Sequence, residues 1–271
     1  MEELKMFGMP ILFDEKTDKL TSLDKNVNWE DYSRKYSEKM FGLLAESDYK
    51  IKDNPYYDFY KAIVNNDKKA EFIKANLRYD CTVIMSGCAG KEFKKTAGHF
   101  HRLIPGNSLS YPELYQVIKG TALFVMQKVD DFGKSGKMVV EDAILVEVKA
   151  GQAIVIPPNY GHCTINISDE TMVFINLISL GSDNYYDGVK NSHGMCCYAY
   201  QNDDGTYRIE KNPNYKFDCK VRIMVPDESD VLGIHNNTPV YTEFLENPEK
   251  FRYLNNPENN MKDYFDLLKL K

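Results

Sequence analysis

The apolar residues of this chain fall into short runs separated by turn residues, above all between residues 78 and 217. Runs of about five apolar residues bounded by turns are typical of antiparallel strands in a sandwich or barrel. Two polar stretches, Asp130–Gly136 and Asn202–Gly205, are predicted to be hairpin loops. The apolar runs are Thr82–Met85, Leu114–Ile118, Leu123–Gln127, Ile144–Val148, Ala153–Ile156, Cys163–Ile167 and Met172–Ile178. The pattern therefore predicts an all-β fold built on an antiparallel barrel.

The two ends of the chain are less regular than its middle. Apolar residues at Met40, Leu43 and Leu44 recur at helical spacing, and those between Met261 and Leu270 predict a terminal helix. Both ends are expected to wrap on the barrel and cover its edges. We predict one domain over residues 1–271, made of an N-terminal arm with short helices (1–77), a barrel core (78–217) and a C-terminal extension (218–271).

Composition narrows the class of protein. The net charge of −6 favours neither nucleic acid nor an anionic membrane as a partner. No apolar run approaches the roughly 20 residues of a membrane span, and the first residues do not resemble a signal peptide. The six cysteines have neither zinc-type spacing nor a compact disulfide pattern, so they are expected to be reduced thiols. These features predict a cytoplasmic protein.

The residues best suited to bind a metal ion are three histidines and one glutamate. His99 and His101 are two residues apart, so on a strand their side chains share one face. Glu113 precedes the next predicted strand, and His162 begins a later one. A single histidine is more often structural than metal-binding, but three of the five histidines in the chain belong to this pattern. Three imidazoles and a carboxylate suit one divalent metal ion.

The spacing of these residues resembles the two motifs of the cupin family. The first motif holds His99, His101, Glu113 and Gly120, and the second holds Gly151, Pro157, His162 and Asn166. Two departures are visible. Eleven residues separate His101 from Glu113, which indicates a longer hairpin loop, and Asn159 stands where cupins have glycine. The resemblance implies a cupin barrel, which is a jelly-roll-like double-stranded β-helix.

The likeness narrows to the cupin-type glucose-6-phosphate isomerases of archaea and some bacteria. It is carried by Thr96–His101, Pro112–Gly120 and Ile156–Ile167, and it covers roughly residues 57 to 215. The resemblance implies a metal-dependent aldose–ketose isomerase, an intramolecular oxidoreductase that interconverts glucose 6-phosphate and fructose 6-phosphate in glycolysis and gluconeogenesis. It also implies a homodimer with a small-molecule sugar phosphate as its substrate.

The same resemblance assigns roles to individual residues. His99, His101, Glu113 and His162 would hold one divalent metal per chain, whether iron, manganese, nickel, cobalt or zinc. Glu113 would also be the catalytic base. The residues expected to bind the substrate and its phosphate are Tyr57, Thr82, Thr96, Gly98, Tyr115, Gln127 and Tyr186. They form a neutral set of hydroxyl and N–H donors. Ile178 and Asn184 stand where this family has tyrosine and histidine.

Several alternatives stay open at this point. The same four ligands would suit a cupin dioxygenase, although the threonines and tyrosines favour a phosphorylated polar substrate. A non-catalytic sugar-phosphate-binding cupin or an isomerase of another sugar phosphate would also keep these residues, and fold alone does not decide among them. For the isomerase itself, proton transfer through an enediol and a metal-assisted hydride shift are both compatible with the sequence.

Overall fold

The computed structural model of the chain describes residues 1–46, 48–131 and 136–271, and their regular secondary structure is mostly β-strand. In chain order the strands are β1 (Glu2–Glu3), β2 (Ile11–Asp14), β3 (Lys19–Ser22), β4 (Val27–Asn28), β5 (Asp31–Tyr36), β6 (Pro55–Lys61), β7 (Val64–Asn65), β8 (Leu77–Ile84), β9 (Cys88–Ala89), β10 (Glu92–Phe93), β11 (Phe100–His101), β12 (Glu113–Lys119), β13 (Thr121–Val129), β14 (Val139–Lys149), β15 (Ala153–Ile156), β16 (Gly161–Asn166), β17 (Met172–Ser179), β18 (Asn184–Tyr185), β19 (Cys197–Gln201), β20 (Tyr207–Lys211), β21 (Lys216–Phe217), β22 (Val221–Pro226) and β23 (Leu268–Leu270). The α-helices are α1 (Lys69–Ala75), α2 (Asp187–Asn191), α3 (Val240–Glu246) and α4 (Met261–Asp266). Short 3₁₀ helices cover Lys5–Phe7, Ser37–Met40, Asn66–Lys68, Pro248–Leu254 and Pro257–Asn260.

Two large sheets contain all seven of the predicted apolar runs. In the first sheet the strand order is β15-β12-β17-β8-β6-β5, and in the second it is β16-β13-β14-β22-β23 with β21 beside β14. β12 pairs with β17 in the first sheet, and β13, the strand after β12, pairs with β16 in the second. Two chain segments therefore run side by side from one sheet into the other, which is the jelly-roll arrangement.

The two sheets pack face to face around aromatic side chains. Tyr115 of the first sheet lies with its ring centroid 5.1 Å from Phe124 of the second, and Phe124 lies 6.3 Å from Phe174. The predicted all-β class and cupin fold are confirmed. In the described part of the chain no strand pairing joins the sheets, so the barrel is open along its sides.

Both end segments add strands to these sheets. β5 and β6, within the predicted arm, extend the first sheet, while β22 and β23, within the predicted extension, extend the second. β22 runs parallel to β14, unlike the antiparallel pairs of the central strands. Strands from the ends thus cover edges of the core strands. The division of the chain into arm, core and extension stays a prediction.

Local predictions at the ends differ from the structure in two places. The segment around Met40 forms a short 3₁₀ helix and turns instead of an amphipathic α-helix. The predicted terminal helix ends at Asp266, and Leu268–Leu270 forms β23 because these residues pair with β22 at the sheet edge. The predicted turn at 202–205 joins β19 to β20, as expected. Of the predicted loop at 130–136, residues 132–135 lie outside the described residues.

The helices of the structure are short. Over the described residues, none is long and apolar enough to cross a membrane.

Candidate metal centre and substrate cavity

His99 and His162 are brought together by pairing between neighbouring chain segments. Their backbones form an isolated antiparallel bridge, with His99 N donating to His162 O at 3.1 Å and His162 N donating to His99 O at 2.9 Å. Gly98, just before His99, has a φ of +77°. A Cβ atom on Gly98 would lie 2.8 Å from Met195 Sδ, so both the backbone and the packing require glycine here.

The four predicted ligands lie in one cluster between the two sheets. One potential ligand atom from each of His99, His101, Glu113 and His162 lies within 4.8 Å of the others. Glu113 Oε2 is 3.1 Å from His101 Nε2 and 3.2 Å from His162 Nε2. His99 Nε2 is 3.2 Å from His101 Nε2. The structure therefore brings the four predicted ligands together, and their binding of a metal stays a prediction.

The hydrogen bonds of His101 and Glu113 leave one metal-binding atom free on each side chain. His101 Nδ1 lies 2.7 Å from the carbonyl oxygen of Tyr111, which can only accept, so we assign the ring proton to Nδ1. His101 Nε2 then presents a lone pair to the cluster. Glu113 Oε1 accepts a hydrogen bond from Asn176 Nδ2 at 2.7 Å, whereas its buried Oε2 has no hydrogen-bond donor among the described residues. This donor set fits a divalent metal ion, and Tyr111 and Asn176 would orient the ligands.

The protonation states also suit a metal ion. Burial, with the nearby His162 and His101, holds the pKa of His99 well below its ordinary value, and burial also lowers the pKa of His162. Burial raises the pKa of Glu113, but its contacts with His101 and His162 outweigh burial and hold this pKa well below its ordinary value. Neutral imidazoles and an ionised carboxylate are the forms that bind metals. The cluster could therefore bind a metal at neutral pH.

A cavity of about 480 Å³ opens beside the cluster and exposes His99 and Glu113 in its wall. Six of the seven residues predicted to bind substrate line this cavity: Tyr57, Thr82, Thr96, Gly98, Tyr115 and Tyr186. The Tyr115 hydroxyl lies 2.9 Å from His162 Nε2, next to the cluster. The ring centroid of Tyr186 lies 5.5 Å from that of the His99 imidazole. Ile178 and Asn184 also line the wall.

Gln127 is the predicted substrate residue that the structure does not bring to the cavity. Its neighbour on β13, Met126, pairs with His162 on the inner face of the sheet. Successive side chains of a strand point to opposite faces, so Gln127 points to the outer one. There its Oε1 accepts a hydrogen bond from Cys196 N at 2.6 Å, and the side chain is fully buried. Gln127 therefore lies close to the first motif in the sequence, but its side chain lies on the side of the sheet that faces away from the cavity.

Other residues of the cavity were not predicted. Asn176 touches Glu113, and it had a sequence signal because it is the lone amide in the apolar run Met172–Ile178. Three cations, Lys35, Lys61 and Arg78, also line the wall, so the cavity is not the neutral site that was expected. Their sequence surroundings are ordinary polar segments. Only the pairing of β5, β6 and β8 brings them together.

Comparisons with known proteins point to one family. A family model described as "Glucose-6-phosphate isomerase (GPI)" matches residues 33–216. The chain is 26% identical to the glucose-6-phosphate isomerase of Pyrococcus furiosus over 166 residues, which is 61% of this chain and 76% of that protein. It is 26% identical to that of Thermococcus kodakarensis over 167 residues, again 61% of this chain and 76% of the relative. Among solved structures it is similar to hazelnut vicilin, with a TM-score of 0.35, 14% identity and coverage of 49% of this chain and 32% of the vicilin.

Proposed function

Because the chain belongs to the glucose-6-phosphate isomerase family, we propose that it interconverts glucose 6-phosphate and fructose 6-phosphate in a metal-dependent reaction. The observation that carries the proposal is the position of the His₃Glu cluster in the wall of a cavity lined with hydroxyl groups. Membership of the family supports the choice of substrate, and the cluster supports the requirement for a metal ion. A homodimer in the cytoplasm, with this sugar phosphate as its small-molecule partner, is part of the same proposal and rests on the family resemblance.

In this proposal His99, His101, Glu113 and His162 hold one divalent ion. An ion bound there would supply Lewis-acid polarisation of the oxygen atoms on the two carbons that exchange the carbonyl. Three imidazoles and one carboxylate are compatible with iron, manganese, nickel, cobalt or zinc. The protein's contribution is to hold His101 through Tyr111 and Glu113 through Asn176, and to leave one side of the cluster facing the cavity.

Glu113 is the proposed base of the proton transfer. Its carboxylate would take the proton from C2 of the open-chain aldose and return it to C1, because it reaches the cavity wall and stays ionised. In the same conversion the hydroxyl proton of the sugar would move from O2 to O1, so that the aldehyde becomes an alcohol and the C2 alcohol becomes the ketone. Asn176 holds Oε1 by a 2.7 Å hydrogen bond, which fixes the orientation of the carboxylate. Tyr115 would donate to a sugar oxygen next to the cluster. Burial and the Glu113 charge raise its pKa well above the ordinary value, so the hydroxyl keeps its proton.

The phosphate would bind away from the cluster, among the remaining predicted residues. Thr82 and Thr96 offer hydroxyl groups and Gly98 offers a backbone N–H in the same cavity. Burial raises the pKa of Tyr57 to about 12, which keeps this hydroxyl a donor at neutral pH. Tyr186 stands beside His99 and would contact the sugar chain between the two ends. These donors favour an enzyme of a phosphorylated polar substrate over a dioxygenase.

A coupled assay of fructose 6-phosphate conversion tests the proposal. Dialysis against a chelator should abolish turnover, and adding back individual divalent metals should restore it, with elemental analysis giving one metal ion per chain. His101→Gln should lose both the metal and the turnover. His235→Gln is the matched control, because His235 lies outside the cluster and pairs with Asp230 and Glu243. Full turnover in chelated protein without metal, or oxygen consumption without isomerisation, would refute the proposal.

A further inference from the structure

The cations of the cavity wall differ in how their charge is balanced. Lys61 Nζ lies 3.5 Å from Glu30 Oε2, and Arg78 Nε lies 2.8 Å from Asp80 Oδ2. Lys35 lines the same wall, yet within residues 1–46, 48–131 and 136–271 it has no carboxylate partner and no side-chain hydrogen bond. Lys35 is thus the cation whose charge is left for a ligand.

The strand that carries Lys35 is held firmly against its neighbour. Arg34, on the opposite face of β5, donates from Nε and Nη2 to the two carboxylate oxygens of Asp58, each at 2.8 Å. The Asp58 side chain is fully buried, so this bidentate ion pair fixes β5 to β6. Because side chains alternate along a strand, the same pairing turns Lys35 to the cavity face, directly beside Tyr57 in register.

We propose that Lys35 is a specificity-determining residue that binds the phosphate group of the sugar phosphate. The inference rests on the proposed function, and it adds a charged contact to the hydroxyl donors. A phosphate carries about −1.5 to −2 charges at neutral pH, which hydroxyl groups do not neutralise. The carboxylate of Glu113, in the same cavity, opposes its entry. An ammonium group beside Tyr57 offsets this repulsion and donates a charge-assisted hydrogen bond.

Calorimetric binding and steady-state kinetics test this role separately. Lys35→Met should raise both the Kd and the KM for fructose 6-phosphate about tenfold or more, while kcat and metal content stay unchanged. Lys35→Arg should restore most of the affinity because it restores the charge. Raising the ionic strength should weaken binding more in the wild type than in Lys35→Met. Binding of unphosphorylated fructose should be equal in both proteins.

Two further variants serve as comparisons. Lys61→Met removes a cation that Glu30 already balances, so its effect on Kd should be smaller than that of Lys35→Met. Lys68→Met removes an exposed charge from the 3₁₀ helix Asn66–Lys68 and should leave binding unchanged. Lys35→Gln repeats the test with a polar side chain if the methionine variant is poorly folded.

The outcomes separate this inference from the proposed function. A wild-type enzyme that isomerises fructose 6-phosphate, with Lys35→Met and Lys35→Gln binding it equally well, overturns the role of Lys35 and leaves the function intact. A chain that does not isomerise this sugar but binds sugar phosphates or inorganic phosphate through Lys35 refutes the function and supports the inference. A wild-type chain that binds none of these phosphorylated probes overturns the inference.

Discussion

Thr82→Val is the most direct test of the phosphate end of the cavity. Valine has nearly the shape of threonine, so the substitution removes the hydroxyl and keeps the volume of the side chain. Thr82 is buried in the cavity wall, and its hydroxyl makes no hydrogen bond to any part of the chain that the structure describes. The valine variant therefore loses no hydrogen bond within the protein, and a change in binding reports the loss of a contact with the ligand.

The size of the effect follows from the charge of the phosphate. A hydrogen bond to a charged group contributes roughly 1.5–3 kcal/mol, which corresponds to about 10- to 150-fold in affinity. Thr96→Val should weaken binding similarly but with a second consequence. Thr96 Oγ1 also accepts a hydrogen bond from Thr164 N at 3.0 Å, so this variant leaves that N–H unpaired. The loss should cost about 1–3 kcal/mol of stability, or roughly 2–4 °C in Tm for each kcal/mol.

The assay is steady-state isomerisation of fructose 6-phosphate combined with thermal melting. Thr82→Val should raise KM at least tenfold, with its metal content and Tm unchanged, whereas Thr96→Val should raise KM and lower Tm. The unphosphorylated sugar should be a very poor substrate of the wild-type enzyme. An unchanged KM in both variants, or equal activity on fructose and fructose 6-phosphate, would show that the phosphate is not bound here.

Three further predictions concern the cluster and its surroundings. Glu113→Gln, assayed with metal content restored and verified, should lower kcat by roughly 10²–10⁴ with a smaller change in sugar-phosphate binding; near-normal turnover would instead favour the hydride shift. Gln127→Leu should leave the KM for fructose 6-phosphate unchanged but lower Tm, because Cys196 N loses its acceptor; a raised KM would show that Gln127 reaches the substrate after all. Removing the metal should lower Tm, and adding it back should raise Tm with its concentration, since binding to the folded state adds stability; a concentration-independent Tm would argue against a metal centre in the folded protein.

The cluster of three histidines and one glutamate could be predicted from the sequence because local rules determine it. Side chains two residues apart on a strand lie on the same face, so the spacing predicts that His99 and His101 act together. The strand beginning at Glu113 was recognised by its apolar run, and His162 by the spacing of its motif. The structure adds the hydrogen-bond partners of these side chains, which sequence spacing does not reveal. One example is the carbonyl of Tyr111, which fixes the ring of His101.

Gln127 shows where the same rules stop being informative. A strand that is half exposed alternates apolar and polar residues, and this alternation indicates which face is which. β13 is buried on both faces, so its residues Leu123–Met126 are all apolar and carry no alternation. The face of Gln127 was therefore not determined by its neighbours in sequence. It follows only from the pairing of Met126 with His162, a contact between residues distant along the chain.

The two ends of the cavity also differ in how far the local sequence predicts them. The cluster end depends on motifs in the core segment. Lys35 and Lys61 of the cavity wall depend instead on β5 and β6, which lie in the predicted arm and join the first sheet through β8. Nothing local distinguishes Lys35 from Arg34, since both are cations in one polar strand. The buried Asp58 separates them, because it pairs with Arg34 and leaves Lys35 for the cavity. The proposed contact between Lys35 and a phosphate thus depends on tertiary pairing, while the proposed metal ligands could be predicted from local spacing within motifs.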